Sequence, residues 1–292
     1  MTEQQRPLDV LVTGAYGLIG NLVYTRLAAQ PATYNVYGMV HRMQPSTRAA
    51  KASFHTIPAA QVRLADLTDL AAVQRAVAGM DVVVHMAADP DGRAGWDSVH
   101  DNNIVGTHNL LEASRLAGIR RVIFASTNQV VFGYRADEPY ASLFAGRFDD
   151  LRPEMIRPID HTQPTRPLND YACSKVYGEA LAHQYAHAYG LSCLCLRIGW
   201  VTSDDQLPHP NARMLWCSQR DVVQIVERCI LAPDSLRFDV FFAQSDNLYN
   251  FVDITHPREV LGYIPQDRAE DRLPSLMYAS PASGLPGAAG KG

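Results

Sequence analysis

Residues 10–20 read VLVTGAYGLIG, an apolar run that breaks into glycines at positions 14, 17 and 20. No other feature constrains the fold as much. A strand that is apolar along its whole length must be covered on both faces, which calls for a parallel sheet with helices on either side. Glycines at its end let the chain turn sharply, approach a ligand closely and pack the next helix on the strand. The amino end of that helix offers unpaired N–H groups and the positive end of its dipole, a cradle for a pyrophosphate.

The same alternation recurs downstream. Strands are expected at 35–41, 62–66, 81–88, 120–127 and 191–199, and helices at 17–30, 69–78, 97–117 and 169–189. Strand–helix alternation of this kind predicts an α/β doubly wound parallel sheet of Rossmann type over 8–199. Residues 134–168 interrupt it with five prolines among aromatic and charged residues, and read as a lid or insertion. Beyond 200 a helix near 219–231, a strand near 238–243 and EVLGYIPQD predict a small discontinuous substrate-binding cap over 200–275. The stretch 280–292 is low-complexity and is expected to be disordered.

With 26 basic and 30 acidic residues the net charge is −4, which gives no reason to expect a nucleic-acid partner. No apolar run approaches the ~18 residues of a membrane span, and MTEQQRPLD lacks the pattern of a secretory signal. A cytoplasmic protein is the expectation. The five cysteines (173, 193, 195, 217 and 229) form no CxxC pair, so they read as reduced, mostly buried thiols and no metal site is expected.

The end of the second strand separates two dinucleotides. An acidic residue there bonds ribose hydroxyls, whereas arginine accommodates a 2′-phosphate. The chain has His41 and Arg42 in VHRMQPSTR and no carboxylate, which favours NADP over NAD.

In NDYACSK, Tyr171 and Lys175 stand four residues apart on an expected helix, hence on one face. A phenol ionises near pH ~10, and a neighbouring ammonium would bring it toward working pH. FASTNQV supplies hydroxyls at Ser126 and Thr127 where the fifth strand ends.

Together these motifs resemble the extended short-chain dehydrogenase/reductase family (NAD-dependent epimerase/dehydratases) over about residues 8–270, through TGAYGLIG (13–20), HMAA, NNIVGTHNLLEA, Thr127 and Tyr171–Lys175. The resemblance implies Tyr171 as general acid/base, Lys175 as its pKa modulator and a ribose ligand, and Thr127 as the holder of the substrate oxygen. The expected dinucleotide contacts are Gly14, Tyr16, Gly17, Leu18, Ile19 and Gly20, then His41 and Arg42, Asp66 and Leu67, Ala87 and Ala88, Ile198, Tyr171 and Lys175.

LRIG, NARML and SQRDVV further resemble the uronate dehydrogenase branch, whose members oxidise the anomeric carbon of a hexuronate to a lactone. That likeness implies Arg213 as a carboxylate clamp and Asn128 as a contact to sugar oxygens, with Gln129 and Trp200 also lining the substrate site. Trp200, Gln129 and Asp89-Pro90 replace polar residues of the branch, which points to a less polar pocket for a sugar or sugar acid. A nucleotide-sugar epimerase or dehydratase and a non-catalytic dinucleotide sensor are the rival readings. Asn128 and Gln129 move protons poorly, which disfavours dehydration, and a sensor has no use for Tyr171–Lys175. Helices 97–117 and 169–189 form a dimer contact in many relatives, so a homodimer is expected; Leu110, Leu111, Leu181 and Tyr185 are consistent with that contact and equally with facing the sheet.

Overall fold

The computed structural model describes residues 6–51, 54–91 and 95–273. The tail at 280–292 lies outside the described residues. Seven parallel strands form one sheet in the order β3-β2-β1-β4-β5-β6-β7: β1 Leu8–Thr13, β2 Tyr34–Val40, β3 Val62–Leu64, β4 Val82–His85, β5 Arg121–Thr127, β6 Ser192–Ile198 and β7 Phe238–Ala243. The order reverses between β1 and β4, and the crevice at the carboxyl ends of such a pair is where doubly wound sheets bind ligands.

Helices α1 (Leu18–Ala28) and α7 (Gln219–Leu231) cover one face. The other is covered by α2 (Leu70–Val77), α4 (Gly106–Leu116) and α6 (Asp170–Tyr189). The central strands are buried on both faces, as their unbroken apolar runs require: β5 and β6 are buried at every position. Cys193 and Cys195, two apart on β6, share one face of the core. All five cysteines are free and only Cys173 is exposed.

Three expectations change. The helix expected over 97–117 is broken: a short turn α3 (Trp96–Ser98) runs into a π-helical stretch, Val99–Val105, before α4 begins. The wider turn carries Asn103, whose side chain accepts from the Asp89 N–H at 2.8 Å and donates to the Asp89 carbonyl at 3.1 Å and to Ser174 Oγ at 3.2 Å. It thereby ties the loop after β4 to α6. Secondly, the stretch after 199 does not form only a cap. Strand β7 pairs along β6 and α7 packs on α1, so residues 219–243 complete the sheet that residues 8–199 begin. Thirdly, Leu110, Leu111, Leu181 and Tyr185 are buried in the core between helices and sheet. Of the two placements open to them, they take the one that faces the sheet. The exposed apolar side chains of those helices are Leu116 and Tyr189.

The insertion contains the five-residue helix α5 (Tyr140–Phe144) and two 3-10 turns, Phe148–Asp150 and Pro153–Met155. Its aromatic side chains form a separate cluster with Val130, Met214, Leu215, Phe242 and Phe251. The last helix, α8 (Thr255–Leu261), packs beside β7.

Candidate active site

Ser126 and Thr127 close β5, and the alternation of a strand sends them to opposite faces. Ser126 Oγ donates at 2.6 Å to Glu179, a buried carboxylate that also receives Arg197 through two bonds of 2.9 and 2.8 Å. That hydroxyl is spent inside the core. Thr127 instead lies near enough to the Tyr171 phenol for its hydroxyl to favour the ionised form, and its Oγ1 accepts from Gln129 N at 3.3 Å. Register places Thr127 beside Ile198 on β6, and Ile198 beside Ala243 on β7, so the hydroxyl stands at the carboxyl edge of the sheet.

Helix α6 brings Tyr171 there. Asn169 caps its start by accepting from Ala172 N at 2.7 Å, and Gly190 ends it in the left-handed region at φ 74°. Gly178 lets the helix seat on β5, because a Cβ there would collide with the Phe124 ring. One turn after Tyr171, Lys175 is buried, its Nζ 5.0 Å from the centre of the Phe124 ring and 5.7 Å from that of Tyr171.

Burial dominates both groups. It pushes the Tyr171 phenol up to about 12, with the nearby Thr127 hydroxyl and the field of Arg48 opposing and that of Asp89 adding. It pushes the Lys175 ammonium down to about 7. The expected lowering of the phenol by its neighbour is thus outweighed by loss of water. The phenol is protonated at neutral pH in this state, and further positive charge is needed beside it before it can act as a base.

The glycine turn fits a dinucleotide. Gly14 has φ 65° and lies so close to the end of β4 that a Cβ would sit 2.8 Å from the Ala87 backbone. A Cβ on Gly20 would strike the Gly14 carbonyl. Gly17 starts α1 with no side-chain cap, so the amino end of the helix, at Leu18, Ile19 and Gly20, stays open to a ligand anion. The Tyr16 carbonyl accepts from Ser46 N at 2.8 Å, which folds the loop bearing His41 and Arg42 beside this turn. His41 and Arg42 are exposed. Asp66 accepts from the Thr68 N–H and hydroxyl at 2.9 and 2.8 Å, and these bonds, with a smaller contribution from His41, hold its carboxyl below the ordinary value. Leu67 is buried, Ala87 and Ala88 are half-buried, and the Ala87 N–H donates to Thr13 Oγ1 at 3.1 Å. Thr13 Oγ1 also shares a hydrogen bond with His85 Nδ1 at 2.9 Å, and burial holds that imidazole neutral by pushing it down to about 3.

On the substrate side, Asn128 is buried and its Nδ2 has no hydrogen-bond partner, a costly state that a sugar oxygen would relieve. Gln129 is less free than its sequence position suggests, because its Oε1 accepts from Asn169 at 3.1 Å. Trp200 pairs with Trp216 in a parallel bridge, its N–H donating to the Leu215 carbonyl at 2.6 Å and its carbonyl accepting from Cys217 N at 3.0 Å, and its ring meets His209 edge-on. Arg213 lies on the 3-10 turn Pro210–Met214, stacked on Phe148 and Tyr249.

Sequence reading did not single out Arg48, Phe148 or Tyr249, because no spacing rule links them to the catalytic helix. Asp89 was noticed only as a departure. One group among the described residues has metal-ligand character: His161, Asp239 and His256. Their arrangement does not suit an ion, since the two imidazoles are stacked 3.8 Å apart and nearly parallel, so their lone pairs do not converge, and His256 is already bonded to Asp239 at 3.0 Å.

Residues 10–220 match the model of the NAD dependent epimerase/dehydratase family. The chain belongs to that family. It is an oxidoreductase of the short-chain dehydrogenase/reductase class, and its relatives have similar length. It is 32% identical over 276 residues to L-arabinose 1-dehydrogenase (NAD(P)(+)) of Haloferax volcanii, covering 89% of this chain and 97% of that one. It is 33% identical to the uronate dehydrogenase of Pseudomonas putida, covering 94% and 89%. The crystal structure of uronate dehydrogenase from Agrobacterium tumefaciens superposes with a TM-score of 0.75 at 26% identity, over 97% and 93% of the two chains. A variant of that enzyme has been solved complexed with NAD. The expected preference for NADP finds no support in these relatives.

Proposed function

We propose that this enzyme oxidises a sugar acid of the uronate type at its anomeric carbon, giving a lactone, with NAD or NADP as hydride acceptor. The observation that carries the reading is the meeting of the Thr127 hydroxyl, the Tyr171 phenol and the unpartnered Asn128 amide at one edge of the sheet.

The residues divide the work as follows. Gly14, Gly17 and Gly20, with the open end of α1, hold the pyrophosphate. Tyr16, Leu18, Ile19, Asp66, Leu67, Ala87, Ala88 and Ile198 line the rest of the dinucleotide site. A bound nicotinamide supplies the hydride acceptor and, when oxidised, positive charge beside the phenol. Thr127 fixes the C1 oxygen, Asn128 donates to a ring substituent, and Tyr171 takes the C1 hydroxyl proton. Lys175 contributes its ammonium to the phenolate and the ribose, and at about 7 it retains much of that charge at neutral pH. Gln129 and Trp200 shape the pocket wall, and Arg213 faces the substrate carboxylate.

The test is the ultraviolet absorbance of reduced nicotinamide with NAD or NADP across hexuronates and the matching aldoses. Net reduction with a hexuronate, faster than with its aldose, is expected. Sugar interconversion with no net cofactor change would instead make the protein an epimerase.

A further inference from the structure

The guanidinium of Arg213 lies 3.7 Å from the centre of the Phe148 ring and 5.5 Å from that of Tyr249, and the two rings meet edge to face at 5.0 Å. Its Nε donates to the Pro210 carbonyl at 3.1 Å. Among the described residues no carboxylate pairs with it. Its neighbours differ: Arg220 is paired with Asp267 at 2.5 Å, and Arg272 stands near Asp205 and Asp267. Asp204 and Asp205, the acidic residues shortly before it in the chain, accept instead from Gln206 N at 3.3 Å and Gln219 N at 2.7 Å.

Aromatic faces attract a cation without neutralising it. A guanidinium held in this way keeps its charge, and its two terminal nitrogens remain available for a bidentate oxyanion. A carboxylate from the protein would have fixed the side chain and used up the fork at once.

The platform comes from the insertion. Phe148 is buried at 4% exposure on the turn Phe148–Asp150. Two residues earlier Gly146 takes φ 75°, and a Cβ there would fall 2.6 Å from Asn211 Cγ, so the insertion closes directly onto the turn that carries Arg213. Phe148 and Tyr249 also share a cluster with Val130 and Trp200, which follow Thr127 and Ile198 at the carboxyl edge.

We propose that the 134–168 insertion sets the preference for an acidic substrate by seating Phe148 beneath Arg213. Phe148, with Tyr249 as second wall, is a positioning residue that holds the guanidinium still and uncompensated for a substrate carboxylate. This rests on the reading of Arg213 as a carboxylate clamp, and the experiment separates the two.

The measurement is kcat and KM for a hexuronate, a hexose 6-phosphate and a neutral aldose, in wild type, Arg213→Ala, Phe148→Leu, Phe148→Tyr and Tyr249→Leu. Arg213→Ala should reduce the hexuronate-to-aldose ratio of kcat/KM by about tenfold or more, the loss of a charge-assisted pair. Phe148→Leu keeps apolar volume but removes the π face, and should lower that ratio about fivefold, chiefly through KM. Phe148→Tyr should restore it. Should Phe148→Leu fail to fold, Tyr249→Leu tests the same platform and should lower the ratio about threefold. If Arg213→Ala collapses the ratio while both platform variants leave it unchanged, the inference is overturned and the clamp stands. An unchanged ratio in Arg213→Ala overturns both, and a larger effect on the phosphate than on the hexuronate overturns the choice of carboxylate.

Discussion

At the amino edge of the sheet Arg121 is fully buried at the start of β5 and, among the described residues, has no carboxylate in salt-bridge contact. Its guanidinium donates to Ser192 Oγ and to the carbonyls of Cys229, Ala232, Pro233 and Leu236, at distances between 2.6 and 3.3 Å. It gathers the end of α7 and the turn into β7 around one cation. At the carboxyl edge the polar groups are left incomplete. Asn128 Nδ2 lacks a partner, Arg213 rests on aromatic rings, the Tyr171 phenol is pushed up to about 12 and the Lys175 ammonium down to about 7. The buried Arg121 charge is therefore met by the protein itself, at the edge that only has to be stable. The fold leaves charge and hydrogen bonds unmet at the edge where a ligand is to complete them.

Substitutions on the two edges should fail in different ways. The largest effect is expected for Tyr171→Phe, which removes the proton carrier and nothing else. Turnover should fall by about 10²- to 10⁴-fold while dinucleotide affinity, read by fluorescence titration, is kept. Near-normal turnover would remove Tyr171 from the mechanism. Arg121→Met should do the reverse. With several buried carbonyls left without a donor, unfolding in denaturant should show a loss of about 3 kcal/mol, with turnover per folded molecule unchanged. A large activity loss there, without a stability loss, would erase the distinction between the edges. The smallest effect belongs to Arg42, exposed beside the glycine turn. If it meets a 2′-phosphate, Arg42→Ala should weaken NADP by about tenfold or more relative to NAD. Equal loss of both would mean that it serves only the adenine half.

The sheet was legible because its strands are continuous apolar runs. The segment 238–243 was read as a strand, and Phe238–Ala243 is one. Its place in the main sheet was not legible, since an edge strand announces its length but not its neighbour. The choice of Thr127 over Ser126 follows from the family resemblance, alternation says only that the two face opposite ways, and the bond from Ser126 to Glu179 supplies the physical reason. The sign of the Tyr171 shift was not legible, because spacing says which groups are neighbours and not how much water they lose. Leu110, Leu111, Leu181 and Tyr185 pose a related problem. An apolar position on a helix says that it is covered, and here the sheet covers it. The platform under Arg213 joins residues 148, 213 and 249, and no local pattern links three loops so far apart in the chain.

The central claim is that the carboxyl edge holds groups in ionisation states that cost stability in the absence of ligand. Lys175 tests it most directly. Its ammonium ionises at about 7 in the folded chain and at about 10.5 as a free side chain. Below pH ~7 it is charged in both states, so the cost of burying it is fully present. As pH rises the unfolded chain holds a proton that the folded chain has released, and folded stability rises. Tyr171 opposes this only as pH approaches the ordinary phenol value of ~10. Denaturant unfolding of the unliganded wild type and Lys175→Met should therefore be compared from about pH 6 to pH 9. The account predicts that Lys175→Met is the more stable at the acid end and that the gap narrows as pH rises. A gap that is absent, reversed or independent of pH would contradict it.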